Sequence, residues 1–245
     1  MSLINSFEKS GNFLFKFRGH LPIVLFLLAI PVAIFNSNQF SIRNNQFGIL
    51  IISFLFVFVG HLIRVLTVGK RSIQSSGRNR SHQVAKELNT TGIYSVVRHP
   101  LYLGNAFIWF GLLCFFGNLW FLIVCSLIYW IYYERIMFAE EQFLGRQFGE
   151  NFNNWSIKVP ALIPSFRNYV PSQLVFSWRV VFKNEYPGWI STMTSFLYLS
   201  ILKRSASIQK IQFSKTDAYF ALFILIFGLI LKGLKKYSNI FHQMD

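Results

Sequence analysis

The strongest constraint on this chain is a succession of apolar runs: Leu21–Phe35, Phe47–Val68, Leu101–Phe116 and Leu119–Tyr133, with the shorter runs Trp189–Leu202 and Ala218–Leu231 behind them. A helix needs about 20 mostly apolar residues to cross the hydrocarbon core, and no other open backbone arrangement satisfies its own hydrogen bonds there. With 53% of residues hydrophobic and only 13% charged, the composition fits the bilayer as solvent. The runs therefore predict an all-α fold, a multi-pass transmembrane bundle of about five or six spans.

The cations orient it. Lys9, Lys16 and Arg18 precede the first run, Arg43 alone lies between the first and second, and Lys70, Arg71, Arg78, Arg80, Lys86 and Arg98 follow the second. This asymmetry puts the amino terminus and the second loop on the cytoplasmic face of the cell membrane. Only Gly117 and Asn118 separate the third run from the fourth, so these two form a tight antiparallel hairpin and residues 134–168 return to the same face. Lys203, Arg204, Lys210 and Lys215 would face outward if both late runs span, which leaves that topology open. Although Lys16 and Arg18 precede it, the first run has no small-residue cleavage pattern after it and reads as a retained helix. The chain divides into amino-terminal spans (1–68), a central unit (69–168) and a carboxy-terminal membrane part (169–245). A net charge of +15 invites nucleic acid, but its placement beside apolar runs argues for orientation in the membrane instead. Cys114 and Cys125 both sit inside apolar runs as small hydrophobes.

Two polar segments carry the chemistry, and the hairpin brings them to one interface: TTGIYSVVRHPLYLGN (90–105) and ERIMFAEEQFLGRQFGENF (134–152). Four of the nine acidic residues, Glu134, Glu140, Glu141 and Glu150, fall in the second, where charge orientation alone predicts none. Pro100 is expected to open the third helix, since proline at the first turn costs no hydrogen bond and leaves N–H groups toward the interface. A methyl donor such as S-adenosylmethionine needs a carboxylate for its ammonium or ribose, cations for its own carboxylate and aromatic walls. Glu140 or Glu141, Arg98 and His99, and Tyr94 and Tyr102 match those needs. Taken singly, Arg98 is explained as an interfacial anchor, Tyr102 as part of an aromatic belt, and the two glutamates as a solvated helix face. Gly104 and Gly111 read as close helix packing. His61 and Arg64 share one face of the second helix; Arg64 is explained by snorkelling or by a lipid phosphate partner. The glycine-rich turn of a Rossmann domain, metal-ligand spacing and a GxSxG elbow are all missing, so no metal is expected.

Together the segments resemble the superfamily of membrane isoprenylcysteine carboxyl methyltransferases and phospholipid methyltransferases. TGIYSVVRHPLYLG matches its RHPxYxG motif, AEEQFL its EExxL motif, and FGENFNNWSIKVPALIP its tail; the resemblance covers residues 79–164. It implies a pocket for S-adenosylmethionine at the cytoplasmic ends of the helices and a lipid substrate entering from the bilayer. By motif position it implies cofactor contacts at Tyr94, His99, Pro100, Tyr102 and Glu140, with Leu88 and Asn89 beside the adenine. In the prenylcysteine enzymes an arginine stands four residues before the first glutamate. That position is Ile136 here, with Arg135 beside it, and the tail position often held by tyrosine is Phe152; these departures bear on the substrate rather than on methyl transfer. The basic loop GKRSIQSSGRNRSHQVAKEL reads either as a positive-inside loop or as a grip on an anionic headgroup. Its SGRN segment resembles a bacterial branch, some members of which methylate the phosphate of lipid A.

The expected function is S-adenosylmethionine-dependent methylation of a lipid phosphate or carboxylate, with Arg98 and Arg135 as catalytic candidates. The cofactor set is Leu88, Asn89, Tyr94, His99, Pro100, Tyr102, Glu140 and Glu141, and the substrate set Arg64, Arg78 and Arg80. Phospholipid N-methylation is the alternative within enzymes. A small transporter or scaffold is the alternative outside them, and it should carry polar groups near the midplane rather than at one interface. Oligomeric state is not encoded in any of these features.

Overall fold

The computed structural model describes residues 2–37, 46–70, 83–167 and 169–237. Its helices are α1 (Leu3–Lys16), α2 (Leu21–Phe35), α3 (Gln46–Gly69), α4 (Pro100–Phe116), α5 (Leu119–Phe148), α6 (Glu150–Ser156), α7 (Trp178–Ile208) and α8 (Lys215–Tyr237), with a 3-10 turn at Gly92–Ser95. No strand occurs among the described residues. Three helical stretches are long and apolar enough to cross a membrane, Phe47–Gly69, Leu119–Phe148 and Lys215–Lys235, and the apolar helices Ile23–Phe35 and Pro100–Phe116 are shorter. The chain is a multi-pass helical bundle. Outward-facing Phe54, Leu55, Phe58, Leu127, Trp130, Ile131, Phe223, Leu225 and Leu229 are exposed, an apolar belt that only lipid covers favourably.

The α4–α5 hairpin turns where the sequence demands it. Gly117 adopts φ 86°, a left-handed conformation open to glycine. The Asn118 side chain then accepts from the Phe121 N–H at 2.8 Å and caps α5. Past the turn, α5 does not stop with its apolar run at Tyr133. It continues without a break to Phe148, so Glu140 and Glu141 ride on the same rigid rod as the membrane segment.

Glycines set the closest approach in the bundle. An added Cβ on Gly111 would lie 2.6 Å from the Ser53 carbonyl oxygen, and one on Gly104 2.9 Å from that of Gly60; thus α3 and α4 meet backbone to backbone. At the end remote from the motifs, Ala29 and Ala33 of α2 pack with Leu112 and Phe116 of α4, Cys125 of α5 and Leu199 of α7. The fifth apolar run is the interior of a longer helix: α7 starts at Trp178, eleven residues before Trp189, and carries Glu185 buried at 2% exposure.

The amino-terminal segment is structured as well. Helix α1 lies along the extension of α5, with Phe15 in a cluster with Tyr129, Tyr133, Ile136 and Met137. The Tyr132 hydroxyl donates to the Leu14 carbonyl at 2.9 Å, and Arg146 pairs with Glu8 at 2.5 Å. Gly11 permits this contact, because a Cβ there would come within 2.0 Å of the Arg135 carbonyl oxygen. Overpacking of this kind costs about 1–3 kcal/mol. Gly11→Val is therefore expected to detach α1 while the spans stay folded, with tryptic cleavage after Lys16 accelerated about tenfold in detergent; an unchanged cleavage rate would show that α1 is not held this way.

Candidate functional site

The RHP segment is fixed by backbone before any side chain acts. The Arg98 N–H donates to the Pro160 carbonyl at 2.9 Å and the His99 N–H to that of Ala161 at 3.1 Å, while the Ser165 N–H donates to the Val96 carbonyl at 3.0 Å. The tail after α6 thus lies against residues 96–99. Trp155 adds an indole N–H to the Tyr94 carbonyl at 3.1 Å, and Arg98 Nη1 donates to the Ser156 carbonyl at 2.6 Å. Pro100 then starts α4 at its first turn, with His99 as the capping residue.

From this platform the first segment meets the second. The buried His99 ring stands between two carboxylates, its Nε2 2.9 Å from Glu141 Oε1 and its Nδ1 3.8 Å from Glu140 Oε2. Arg98 Nε lies 3.0 Å from the same Glu141 oxygen, and the Tyr102 hydroxyl donates to Glu140 Oε2 at 3.0 Å. Tyr102 stacks on His99 with ring centroids 5.6 Å apart and leans on Tyr133 at 5.1 Å. Successive residues on a helix point about 100° apart. Accordingly the adjacent glutamates divide the work, Glu141 holding Arg98 and His99 from one side and Glu140 facing a cavity.

That cavity has a volume of about 310 Å³, within the lower range of small-molecule sites. Leu88, Asn89, Tyr94, Arg98, His99, Pro100, Tyr102, Glu140 and Arg64 all line it. Glu141 does not line it, being the partner of Arg98 and His99. Arg135 does not reach it either: its guanidinium lies 3.3 Å from the Phe7 ring centroid, with Nη1 buried and, among the described residues, without a hydrogen-bond partner. The neighbouring Ile136 is fully buried against the α1 contact. Arg78 and Arg80 lie outside the described residues.

The wall also contains groups that sequence reasoning passed over. Phe15 and Arg18 come from the amino-terminal segment, Gln83, Val84 and Glu87 from the stretch before the motif, and Phe143, Leu144 and Trp155 from the far side. An amphipathic pattern in residues 3–16 was the available signal for Phe15. At the other end of the cavity lie Arg64, Asn105 and Tyr133. With five residues from Arg64 to the end of α3, five from Pro100 to Asn105 and seven from Tyr133 to Glu140, this end is about 8–10 Å deeper along the helices than the His99 level. Arg64 is not a snorkelling side chain. Its Nε and Nη2 bind the two oxygens of Glu185 at 2.7 and 2.9 Å, and its Nη1 binds Asn105 Oδ1 at 2.6 Å.

Among the described residues no group of three or more His, Cys, Asp or Glu is arranged to hold a metal ion. The arrangement can instead bind a zwitterionic or cationic small molecule with an aromatic part, at the interface end of helices whose other surfaces face lipid. The fold defines a multi-pass helical membrane protein with a cavity where the two motif segments meet. Residues 44–151 match the phospholipid methyltransferase family.

The chain is 32% identical over 131 residues to a protein-S-isoprenylcysteine O-methyltransferase of Schizosaccharomyces pombe, covering 49% of this chain and 55% of that one. It is 30% identical over 120 residues to the Xenopus laevis protein of the same name, covering 46% and 40%. It is also 32% identical over 116 residues to a nickel-cobalt-cadmium resistance protein of Alcaligenes xylosoxydans xylosoxydans, covering 46% and 52%. The chain thus spans about half the length of the curated relatives it matches. No solved structure matches it significantly. The matched segment ends within α6, so α7 and Glu185 lie beyond it.

Proposed function

We propose that this protein is an integral membrane methyltransferase that uses S-adenosylmethionine to methylate an oxygen, phosphate or carboxylate, of a lipid headgroup, from a cavity on the cytoplasmic face of the cell membrane. The observation that carries the reading is the junction of the two motifs, with His99 between Glu140 and Glu141 on the wall of a cavity set at the end of lipid-facing helices. The lining fits the cofactor: Glu140 and Glu87 suit hydroxyls or an ammonium, Tyr94, Phe143 and Trp155 offer aromatic faces, and Gln83 Nε2 is buried without a partner among the described residues. When bound, S-adenosylmethionine supplies a methyl group on a sulfonium, whose transfer to an oxygen lone pair breaks the carbon–sulfur bond and leaves a neutral thioether.

The residues of the chain supply position and charge balance. Leu88 and Asn89 flank the adenine side; Tyr94, His99, Pro100, Tyr102 and Glu140 shape the donor pocket, and Glu141 holds Arg98 and His99 in place. Arg98 is the catalytic candidate that lines the cavity, and Arg64 the substrate-side cation at its deep end. Arg78 and Arg80 join the proposal on charge alone, as attraction for an anionic headgroup. An oxyanion already carries its lone pair, so alignment matters more than a general base.

Calorimetric titration of detergent-purified protein with S-adenosylhomocysteine is expected to show one saturable site. Membranes given methyl-labelled S-adenosylmethionine are expected to place the label in the lipid fraction, with mass spectrometry locating it on a phosphate or carboxylate oxygen. No saturable binding would defeat the reading, and label on a headgroup nitrogen would replace O-methylation with N-methylation.

A further inference from the structure

Helix α7 lies beyond the family-matched segment, yet its Glu185 binds Arg64, which lines the cavity's deep end. Glu185 is 2% exposed and uses both carboxylate oxygens on Arg64, at 2.7 and 2.9 Å. A second clasp fixes the register of the same two helices: the Thr192 hydroxyl donates to the Gly188 carbonyl at 2.9 Å, so it accepts from His61 Nε2 at 3.1 Å. His61 precedes Arg64 on α3 while Thr192 follows Glu185 on α7, so the helices run antiparallel and Glu185 is held opposite Arg64 by the whole interface.

A guanidinium has five N–H groups in a rigid fork. Among the described residues, Glu185 and Asn105 take three of Arg64's, which leaves two donors on a side chain that lines the cavity. The charges of Arg64 and Glu185 cancel. The deep end is therefore directional toward an oxyanion without a net positive charge, which would draw off the lone pair that has to attack.

We propose that Glu185 is a positioning residue for Arg64: from α7 it fixes and neutralises the guanidinium that aligns the acceptor's oxygen at the deep end of the cavity. This deepens the methyltransferase reading and rests on it. A purely structural ion pair would leave the cavity's selectivity untouched.

The test separates the two. In Glu185→Gln, S-adenosylhomocysteine affinity is expected to stay within about twofold of the unsubstituted protein, while label transfer to lipid falls at least about tenfold, by loss of alignment. Glu185→Asp, which keeps the charge, should recover part of it. A buried ion pair exchanged for apolar side chains often leaves stability unchanged, so the double variant Arg64→Met with Glu185→Leu should fold and bind S-adenosylhomocysteine but transfer no label. Transfer by either Glu185→Gln or the double variant at the unsubstituted rate overturns the proposal. So does a parallel loss of transfer and S-adenosylhomocysteine binding in Glu185→Gln in a protein that still folds. If the unsubstituted protein binds no S-adenosylhomocysteine, the underlying reading fails first and is seen to fail separately.

Discussion

His99→Ala is expected to weaken S-adenosylhomocysteine binding about a hundredfold while leaving the bundle assembled. The ring is buried and is the group through which the RHP segment meets the second motif, 2.9 Å from Glu141 and 3.8 Å from Glu140. A hydrogen bond to a charged partner contributes about 1.5–3 kcal/mol. Its removal also leaves two carboxylates on adjacent residues with less to hold them in place. Glu141 would keep Arg98 at 3.0 Å and Glu140 would keep Tyr102, so the two halves of the wall would stay joined at their edges and lose the buried polar link between them. A loss of about 3 kcal/mol corresponds to about two orders of magnitude in affinity. Glu141→Gln is the milder companion: the amide still reaches His99 but loses the ion pair with Arg98, for about a tenfold loss. Calorimetric titration beside thermal denaturation of the same samples checks both. Affinity within twofold in His99→Ala would remove the imidazole from the site.

The sequence was informative where one residue type does one thing. Gly117 and Asn118 between two apolar runs could only be a reversal, and Pro100 could only begin a helix; both are seen. The two motif segments supply half of the cavity wall, with the Tyr102 hydroxyl reaching Glu140 across the closed hairpin. What escaped were contacts that depend on tertiary register. Arg64 shows no more than a cation near a helix end in the linear text, and Glu185 a carboxylate before a weak apolar run. Their pairing needs α3 and α7 side by side, 121 residues apart in sequence. Hydropathy also hid helix ends: α5 outruns its apolar stretch because Glu140 and Glu141 lie on a continuation that packs on α1 instead of lipid. Arg135 shows the opposite error, a cation close in sequence to the motif but turned by one residue onto Phe7.

Gly60→Ala is expected to destabilise the protein by about 1–3 kcal/mol, and Gly60→Leu to prevent it from accumulating as a folded species, because the space a side chain needs is filled by backbone. A Cβ on Gly60 would lie 2.6 Å from the Gly104 carbonyl oxygen and 2.9 Å from the Ile108 amide nitrogen. Neither is the movable end of a side chain, so α3 and α4 must separate. Arg64 lies one turn further along the same face of α3 and packs on Gly104 itself, whose added Cβ would fall 2.6 Å from Arg64 Cγ. Separation therefore pulls the guanidinium from Asn105 as it loosens the bundle, and methyl transfer should fall faster than S-adenosylhomocysteine affinity. Gly233→Ala is the control: nothing lies within 4 Å of its Cβ position, and in the interior of a helix alanine is favoured over glycine by about 1 kcal/mol. Thermal denaturation in detergent should thus move in opposite directions for the two alanine substitutions. Equal shifts would mean that glycine content, rather than the contact of α3 with α4, sets the stability of the helices that carry the cavity.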